Sequence, residues 1–454
     1  MSDDTRTASY NPTPGLSYDP SEPVYWDPKA LAGEVNRAFE ICNGCRMCFK
    51  YCDAFPLLFE LLDKKDHDVH RLAAGETQAV MDGCFQCKLC EVQCPYTPRD
   101  NHPFQLNFPA LVHRYDAIAY RSGGGRRGLR DRVLADPDGA GKMARLSFGL
   151  ANAMNRLAPA RWAMEKTLGI HRKKLLPDFA AEPFDAWAEK NGLVKAEPGG
   201  EAVLFQTCFV QNNDTALGKD VLEVLLKNRV DVRVVRGLRC CGMPAWEHGD
   251  LSALREQAAV DLGLLIPFVE KGAKVLVVNP TCSMMMRREW PHLLEGADRA
   301  RAEKLAAAVM DVSEYLWSLR NEPRFNQDFK SAPPGGRVAY HAPCHLRAQA
   351  VGFKGRDLLR RIPGVEVAGT VMECCGHDGT YAMTVAGFEP SKRIGQKAFD
   401  GMKAAEAGLW CTDCPLAAIQ FRQFAGKKPF HPMQILARAY RENGFDASPE
   451  GEKP

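Results

Sequence analysis

Eight cysteines fall in two short bursts near the start of the chain. The first is Cys42, Cys45, Cys48 and Cys52, in ICNGCRMCFKYCD, and the second is Cys84, Cys87, Cys90 and Cys94, in GCFQCKLCEVQCP. Each reads C-x2-C-x2-C-x3-C. Three thiolates at this spacing fit around three irons of a cube, because a short loop can turn each sulfur inward, and the fourth ligand comes from the other burst. This crossed assignment gives Cys42, Cys45, Cys48 and Cys94 to one 4Fe–4S cluster, and Cys84, Cys87, Cys90 and Cys52 to a second. Pro95 follows Cys94 in the usual C-P ending, whereas Asp53 follows Cys52; the proline shapes the turn and is not a ligand. A pair of zinc knuckles is the competing reading, but zinc sites need only four cysteines and rarely take such steps in a row.

The wider composition agrees with metal or redox work. The chain has 454 residues and 17 cysteines, with 45% hydrophobic and 25% charged residues. That length exceeds one ordinary core, so two or three domains are expected. No run approaches the ~20 apolar residues of a membrane-spanning helix. The start, MSDDTRTASYNPTPGLSYDPSEP, is polar and proline-rich, with no apolar stretch of the secretory kind. Residues 1–35 therefore read as a flexible arm, and the protein as cytoplasmic, with the inner face of the cytoplasmic membrane as an alternative address. In such a chain clustered cysteines point to metal chemistry rather than disulfides. A net charge of +3 gives no reason to expect nucleic acid.

Helices must position the two bursts. Between them, AFPLLFELLDKK and AGETQAVMDG carry apolar residues three and four apart, which favours an all-helical ferredoxin module over residues 36–115. Residues 116–200 read as a basic helical linker or insertion. Within residues 114–174, fourteen Lys or Arg face five Asp or Glu. Leu146, Phe148, Leu150, Met154, Leu157, Trp162 and Leu168 are its apolar content, and Pro159 divides it. Such a segment suits an anionic membrane surface or an acidic partner, while a domain-bridging helical pair with solvated charges is the plainer reading.

The second half repeats itself. AVLFQTC ends at Cys208, LRCCG holds Cys240 and Cys241, and KVLVVNPTC ends at Cys282. RVAYHAPC then ends at Cys344, MECCG holds Cys374 and Cys375, and GLWCTDC holds Cys411 and Cys414. Matching Cys208 to Cys344, Cys240 to Cys374 and Cys282 to Cys411 gives offsets of 136, 134 and 129. Cys208, Cys282 and Cys344 each close an apolar run that reads as a strand, and helical stretches intervene. Alternating strands and helices imply a parallel sheet with ligands beyond the carboxyl ends of its strands. The expected domains are a first repeat at 201–332 and a second at 333–445. The fold class is α+α/β, a helical two-cluster ferredoxin module followed by a duplicated α/β domain.

The C…CCG…C-x2-C pattern resembles the cysteine-rich CCG motif shared by the B subunit of heterodisulfide reductase, the C subunit of anaerobic glycerol-3-phosphate dehydrogenase and the glycolate oxidase iron–sulfur protein. The ferredoxin part is similar to the C subunit of heterodisulfide reductase. The resemblance implies a bound group at a complete motif, either a noncubane iron–sulfur cluster or zinc. Carried over, the second copy reads as complete in Cys344, Cys374, Cys375, Cys411 and Cys414. The first has Cys208, Cys240, Cys241 and Cys282, with Met285 where a last cysteine is expected, and its cofactor is left open. A thioether is a weak ligand beside a thiolate.

His341, His345 and His377 lie near the second copy. Each suits proton transfer near neutral pH, or equally a hydrogen bond that tunes a cluster from behind its ligands. Glu247, His248, Arg287 and Arg288 have a weaker case, and Asp413 reads as a turn residue. No GxGxxG fingerprint opens a βαβ unit, so substrate oxidation must begin on another polypeptide. The expected function is an electron-transfer component of an oxidoreductase, between a separate redox subunit, a flavoprotein, and a quinone or disulfide acceptor. A catalytic heterodisulfide-type reductase, or a redox partner of a rubrerythrin-like di-iron protein, are the alternatives.

Overall fold

A computed structural model describes residues 10–125, 128–195 and 197–446. They fold as two compact units. One holds the residues up to 125 together with Ala245–Leu251, and the other holds residues 128–244 and 252–446.

The first unit is built from helices, with no strand among its described residues. Asp27 caps α1 (Pro28–Cys45) by accepting the N–H groups of Lys29 and Ala30, and Pro28 occupies the first turn, where its missing N–H costs nothing. Then come α2 (Ala54–Asp63), α3 (Ala74–Asp82), α4 (Leu89–Gln93) and α5 (Phe108–Ser122). Apolar residues on one face of each, such as Val35 and Phe39, Phe55 and Leu58, Val80, and Leu111 and Val112, meet in one core. The core reaches the cysteines themselves, since Cys90 is buried in it and Cys42, Cys48, Cys52, Cys84 and Cys94 pack against it.

Residues 10–27 differ from the flexible arm expected for 1–35. Arg114, on α5 and fully buried, donates to the carbonyls of Tyr25, Gly15, Ser17 and Val24. A guanidinium out of water must direct its donors to protein acceptors, and here those acceptors are the backbone of this segment. Residues 1–9 of the expected arm lie outside the described residues. The helix α1 also begins before residue 36, and α5 runs across the expected boundary at 115 and 116.

The second unit opens with the basic segment, as α6 (Leu129–Leu134), α7 (Pro137–Leu146), α8 (Leu150–Arg156) and α9 (Ala158–Leu168), with Pro159 in the first turn of α9. Two parallel sheets follow. The first contains β1 (Ala202–Phe205), β2 (Val232–Val234), β3 (Lys274–Val277) and β4 (Val309–Asp311) in the order β2-β1-β3-β4. The second contains β5 (Arg337–His341), β6 (Glu366–Val371) and β7 (Leu409–Thr412) in the order β6-β5-β7. Their central strands are continuous apolar runs because a parallel sheet is covered on both faces. One core serves both sheets: Leu217, Val221 and Leu225 from the first repeat pack with Ile435, Leu436 and Tyr440 from the second.

Strand register aligns the two repeats more closely than cysteine spacing does. Leu204 of β1 pairs with Leu276 of β3, and Tyr340 of β5 pairs with Cys411 of β7. The equivalence of β1 with β5 therefore makes Cys411 the counterpart of Leu276. On the same register Asn279 corresponds to Cys414, Pro280 to Pro415, and Cys282 to Ala417. Both prolines open a helix, Pro280–Met284 and Pro415–Ala425, and both preceding residues cap it, Asn279 through Thr281 N–H and Cys414 through Ala417 N–H. The second copy thus has cysteines inside β7 and at the helix cap, whereas the first has leucine and asparagine at those places and its cysteine three residues further along.

Candidate metal centres

In the first unit the loops between cysteines take left-handed residues, Arg46 (φ 52°), Gln86 (φ 60°) and Lys88 (φ 59°). Such turns gather backbone N–H groups on one side and make concavities suited to anionic clusters. Two sulfur groups result. Burial, then repulsion from Cys48, Cys94 and Cys45, raises the Cys42 thiol well above its ordinary range. Burial and then Cys94 and Cys45 push Cys48 up to about 12. Around the second burst, burial and then Cys52 raise Cys84, while burial followed by Cys84, Cys87 and Cys52 raises Cys90. Cys52 is itself pushed to about 12 by burial and then by Cys87. Cys94 thus acts on the sulfurs of the first burst, and Cys52 acts on those of the second and least on Cys48 of the first. Buried thiols crowded in this way resist ionisation unless a cation sits among them, which is the condition an iron cluster meets. A hydroxyl adjoins the first group, where Tyr96 hydrogen-bonds Cys45.

The same unit includes a loop from the far half of the chain. Trp246, four residues beyond Gly242, stacks on His113 at 4.9 Å between ring centroids, and the Lys88 ammonium lies 5.1 Å from the indole. Glu247 and His248 belong to this loop, 3.5 Å apart.

In the second unit Cys208 lies in the first turn of the helix after β1, and Cys240, Cys241 and Cys282 are buried beside it. Cys240 accepts thiol hydrogen bonds from Cys208 and from Cys241, and Cys241 is also hydrogen-bonded to Cys282. Donation from Cys208 and Cys241, with the Gly242 N–H, lowers Cys240 well below an ordinary thiol despite its burial. The Cys240 N–H is held by Asp138 of α7 at 2.8 Å, and burial pushes that carboxyl up to about 6. Met285 is fully buried at the start of a π-helical turn, Met285–Glu289. Arg287 in that turn is tied to Glu314 at 2.6 Å and to the Val309 carbonyl, so it is a partly buried, anchored residue.

The second copy forms a small cavity lined by Cys344, Cys375, Cys414, His377, Asp378 and Thr281, among others. Backbone N–H groups face its sulfurs: Gly376 to Cys374 at 3.3 Å, Ala417 to Cys414 at 3.4 Å, and His377 to Cys375. Gly376 (φ 75°) allows this turn, since a β-carbon there would run into the Ser391 carbonyl oxygen. Burial and then Cys414 push Cys375 to about 12. Cys411 is not brought to this cavity. It lies inside β7, fully buried among the core residues Val338, Tyr340 and Leu409, because its place in the register is that of a core leucine. Cys282 of the first copy, in contrast, is one of the sulfurs acting on Cys414.

The three histidines are not equivalent. His341 is hydrogen-bonded at both ring nitrogens, to Thr412 Oγ1 at 3.0 Å and to the Glu373 carbonyl at 3.1 Å, and burial lowers it to about 4. The carbonyl can only accept, so Nε2 carries the proton and Nδ1 accepts from Thr412. His345 spans Thr281 Oγ1 at 2.9 Å and Asp378 Oδ2 at 3.4 Å, and Cys344 Sγ lies 3.9 Å from the same carboxylate oxygen. His377 is buried, and neither ring nitrogen has a hydrogen-bond partner among the described residues. Asp413, expected as a turn residue, is a buried acceptor for Tyr340 and for Ser313 at 2.9 Å, and burial pushes it to about 6.

Sequence reasoning misses Asp138, Asp378 and Lys174 as site residues. In the sequence Lys174 is only one member of a basic run. In the fold it is 3% exposed, its ammonium donates to Gln420 Oε1 at 2.5 Å, and burial lowers it to about 8 against the opposing pull of Cys375.

Comparison with known proteins identifies both kinds of domain. A family model described as "4Fe-4S dicluster domain" matches residues 41–97, and one described as "Cysteine-rich domain" matches twice, at 202–287 and 338–422. The C subunit of anaerobic glycerol-3-phosphate dehydrogenase from Escherichia coli K12 is 28% identical over 69% of this chain and 78% of its own length. The B subunit of fumarate reductase (CoM/CoB) from Methanothermobacter marburgensis is 25% identical over 92% of this chain and 74% of its own. Lactate utilization protein A of Bacillus velezensis is 27% identical over 40% of this chain and 75% of its own. The chain is a CCG-domain iron–sulfur protein, with a 4Fe-4S dicluster domain followed by two cysteine-rich domains.

Proposed function

We propose that this protein is the iron–sulfur subunit of an oxidoreductase complex, carrying electrons between a flavoprotein partner and a quinone or disulfide acceptor. The observation that carries the reading is the pair of interleaved sulfur groups in a helical core, with Cys94 beside the first burst and Cys52 beside the second. Cys42, Cys45, Cys48 and Cys94 would hold one 4Fe–4S cluster, and Cys84, Cys87, Cys90 and Cys52 the other. When bound, such clusters supply reversible one-electron storage at a potential set by burial, charge and hydrogen bonds to sulfur. The chain's part is to exclude water, orient the thiolates and present N–H groups to them.

Cys344, Cys374, Cys375 and Cys414 would hold an iron–sulfur group at the second CCG site, with Cys411 outside the set. Its donor environment fits such a group: buried sulfurs, N–H groups aimed at them, and an imidazole with no partner among the described residues. The relatives' names support a place in a larger assembly, since two are called subunits of a dehydrogenase and of a fumarate reductase. No helix among the described residues is long and apolar enough to cross a membrane. Met143, Leu146, Phe148, Leu150 and Trp162 are nevertheless exposed on the basic segment, Phe148 almost completely. That surface supports peripheral contact with an anionic membrane.

The test is electron exchange by the anaerobically purified chain. Dithionite-reduced protein should be reoxidised by a water-soluble quinone and re-reduced by its co-purifying flavoprotein. Reoxidation by a thiol heterodisulfide but not by a quinone would favour the reductase reading, in which Cys344, His345 and Asp378 stand beside the S–S bond. Reoxidation by neither acceptor would contradict the proposal.

A further inference from the structure

The basic segment ends behind the CCG turn of the second copy, to which Gln420 and Ser391 link it, and this gives it a use that charge counting does not suggest. Lys174 is buried, and its ammonium is held by a neutral amide rather than a carboxylate. That amide is Gln420 Oε1; Gln420 in turn lies 3.4 Å from Ser391 Oγ, and Ser391 is the residue against which Gly376 packs. The Lys174 backbone is clamped as well, with its carbonyl accepting from the buried Arg161 at 2.7 Å. Two groups of the CCG turn feel the resulting charge, the Cys375 sulfur and the His377 imidazole. A desolvated ammonium costs several kcal/mol unless negative charge stands near it. The negative charge in reach would be that of Cys375 sulfur once it ligates a bound group.

His377 gives a second, independent sign. Its side chain is 6% exposed and lines the cavity with Cys344, Cys375 and Cys414, yet both ring nitrogens lack a partner among the described residues. Buried polar atoms are nearly always hydrogen-bonded. A sulfur of a group held by those cysteines would satisfy one of these nitrogens. The opposite charges near the site are already engaged: Asp378 faces His345 at 3.4 Å, and Asp413 faces Tyr340 and Ser313.

We propose that Lys174 and His377 are positioning residues of the second CCG site, where a buried ammonium and an unpartnered imidazole together stabilise the reduced, more negative state of the sulfur-rich group bound there. This inference rests on the reading that the site binds a redox-active iron–sulfur group. Both contributions raise the reduction potential, since each favours added negative charge on the sulfurs.

The experiment uses the full chain, purified anaerobically as wild type and as Lys174→Met, Lys174→Arg, His377→Phe and His377→Asn. Iron, sulfide and zinc are counted for each, and the centres are titrated by EPR and visible spectroscopy. With metal content unchanged, Lys174→Met should lower the reduced-to-oxidised ratio about tenfold at the wild-type midpoint, about 59 mV for a one-electron couple. His377→Phe should shift the same centre in the same direction. Lys174→Arg and His377→Asn, which keep a charge and a donor, should restore most of it. Unchanged potentials in Lys174→Met and His377→Phe with full metal content would overturn the inference, as would equal shifts in Lys174→Met and Lys174→Arg. A wild-type protein with no redox centre beyond the two clusters of the first unit would instead overturn the reading on which it rests.

Discussion

Cys414 of the second repeat lies within the electrostatic reach of Cys282 of the first. Asn279 and Cys414 occupy equivalent helix caps, and Cys282 and Ala417 equivalent first turns, so the two repeats place a cysteine at different positions of the same helix start. Cys282 also acts on Cys208 and Cys241, so one sulfur of the first CCG site is felt at the second as well. Cys282→Ser should disturb the spectra of groups bound at both sites, while Cys208→Ser should affect the first alone. Metal analysis with EPR of each variant checks this, and a Cys282→Ser protein altered only at the first site would count against it.

Cys411 and Cys414 separate core from ligand. Cys414→Ser should remove or alter the group at the second site. Cys411→Ser should keep the metal content but lower thermal stability by about 1–3 kcal/mol, the cost of a hydroxyl without a partner in an apolar core. Loss of metal in both variants to the same extent would return Cys411 to the ligand set.

These two residues also show how far the sequence can be read. The ferredoxin bursts are legible because three ligands of each cluster lie within a few residues of one another, and the fourth ends the other burst. The helices around them are legible for the same reason, from apolar spacing in α2 and α3. The C-x2-C of Cys411 and Cys414 looks equally local, but its meaning depends on which residue of β7 pairs with Tyr340. Asp138 and Lys174 reach their partners Cys240 and Gln420 across 102 and 246 residues. No spacing rule connects such pairs, and a basic run conceals a buried lysine. The same limit applies to residues 10–27, whose backbone carbonyls at Gly15, Ser17, Val24 and Tyr25 accept from the distant Arg114.

Asp138 fixes the first CCG loop through one hydrogen bond to the Cys240 N–H. Asp138→Ala leaves that buried donor without an acceptor, which should cost about 1–3 kcal/mol. Asp138→Asn keeps an acceptor oxygen and should recover most of the loss. Chemical denaturation of the three proteins tests this, and equal stabilities would contradict it.

His431 gives a pH dependence away from the sulfur sites. It caps the helix Pro432–Ala439 by accepting the Met433 N–H at 3.2 Å, and burial lowers it from 6.5 to about 3. A base depressed in the folded state contributes stability that is present above its unfolded pKa and lost as pH falls toward the folded one. The contribution of His431 should therefore decline from about pH 6.5 downward. His431→Asn keeps a capping oxygen but cannot titrate, so the melting temperature should fall less steeply as the solution is acidified. Parallel slopes for the two proteins would show that His431 does not contribute.

The exposed apolar side chains of the basic segment predict a surface activity. Phe148→Ser with Trp162→Ser should reduce co-sedimentation with phosphatidylglycerol vesicles several-fold without changing iron content. Unchanged sedimentation would assign that face to another partner.

Crossed ligation of two clusters in the first unit is tested most directly by Cys94→Ser. The wild-type unit should carry about eight irons and eight sulfides with two reducible cubane signals. In Cys94→Ser, EPR should show the cluster of Cys42, Cys45 and Cys48 altered or lost and the other intact, and Cys52→Ser should give the reverse. Loss of the second-burst cluster alone in Cys94→Ser, or zinc in place of iron in the wild type, would contradict crossed ligation.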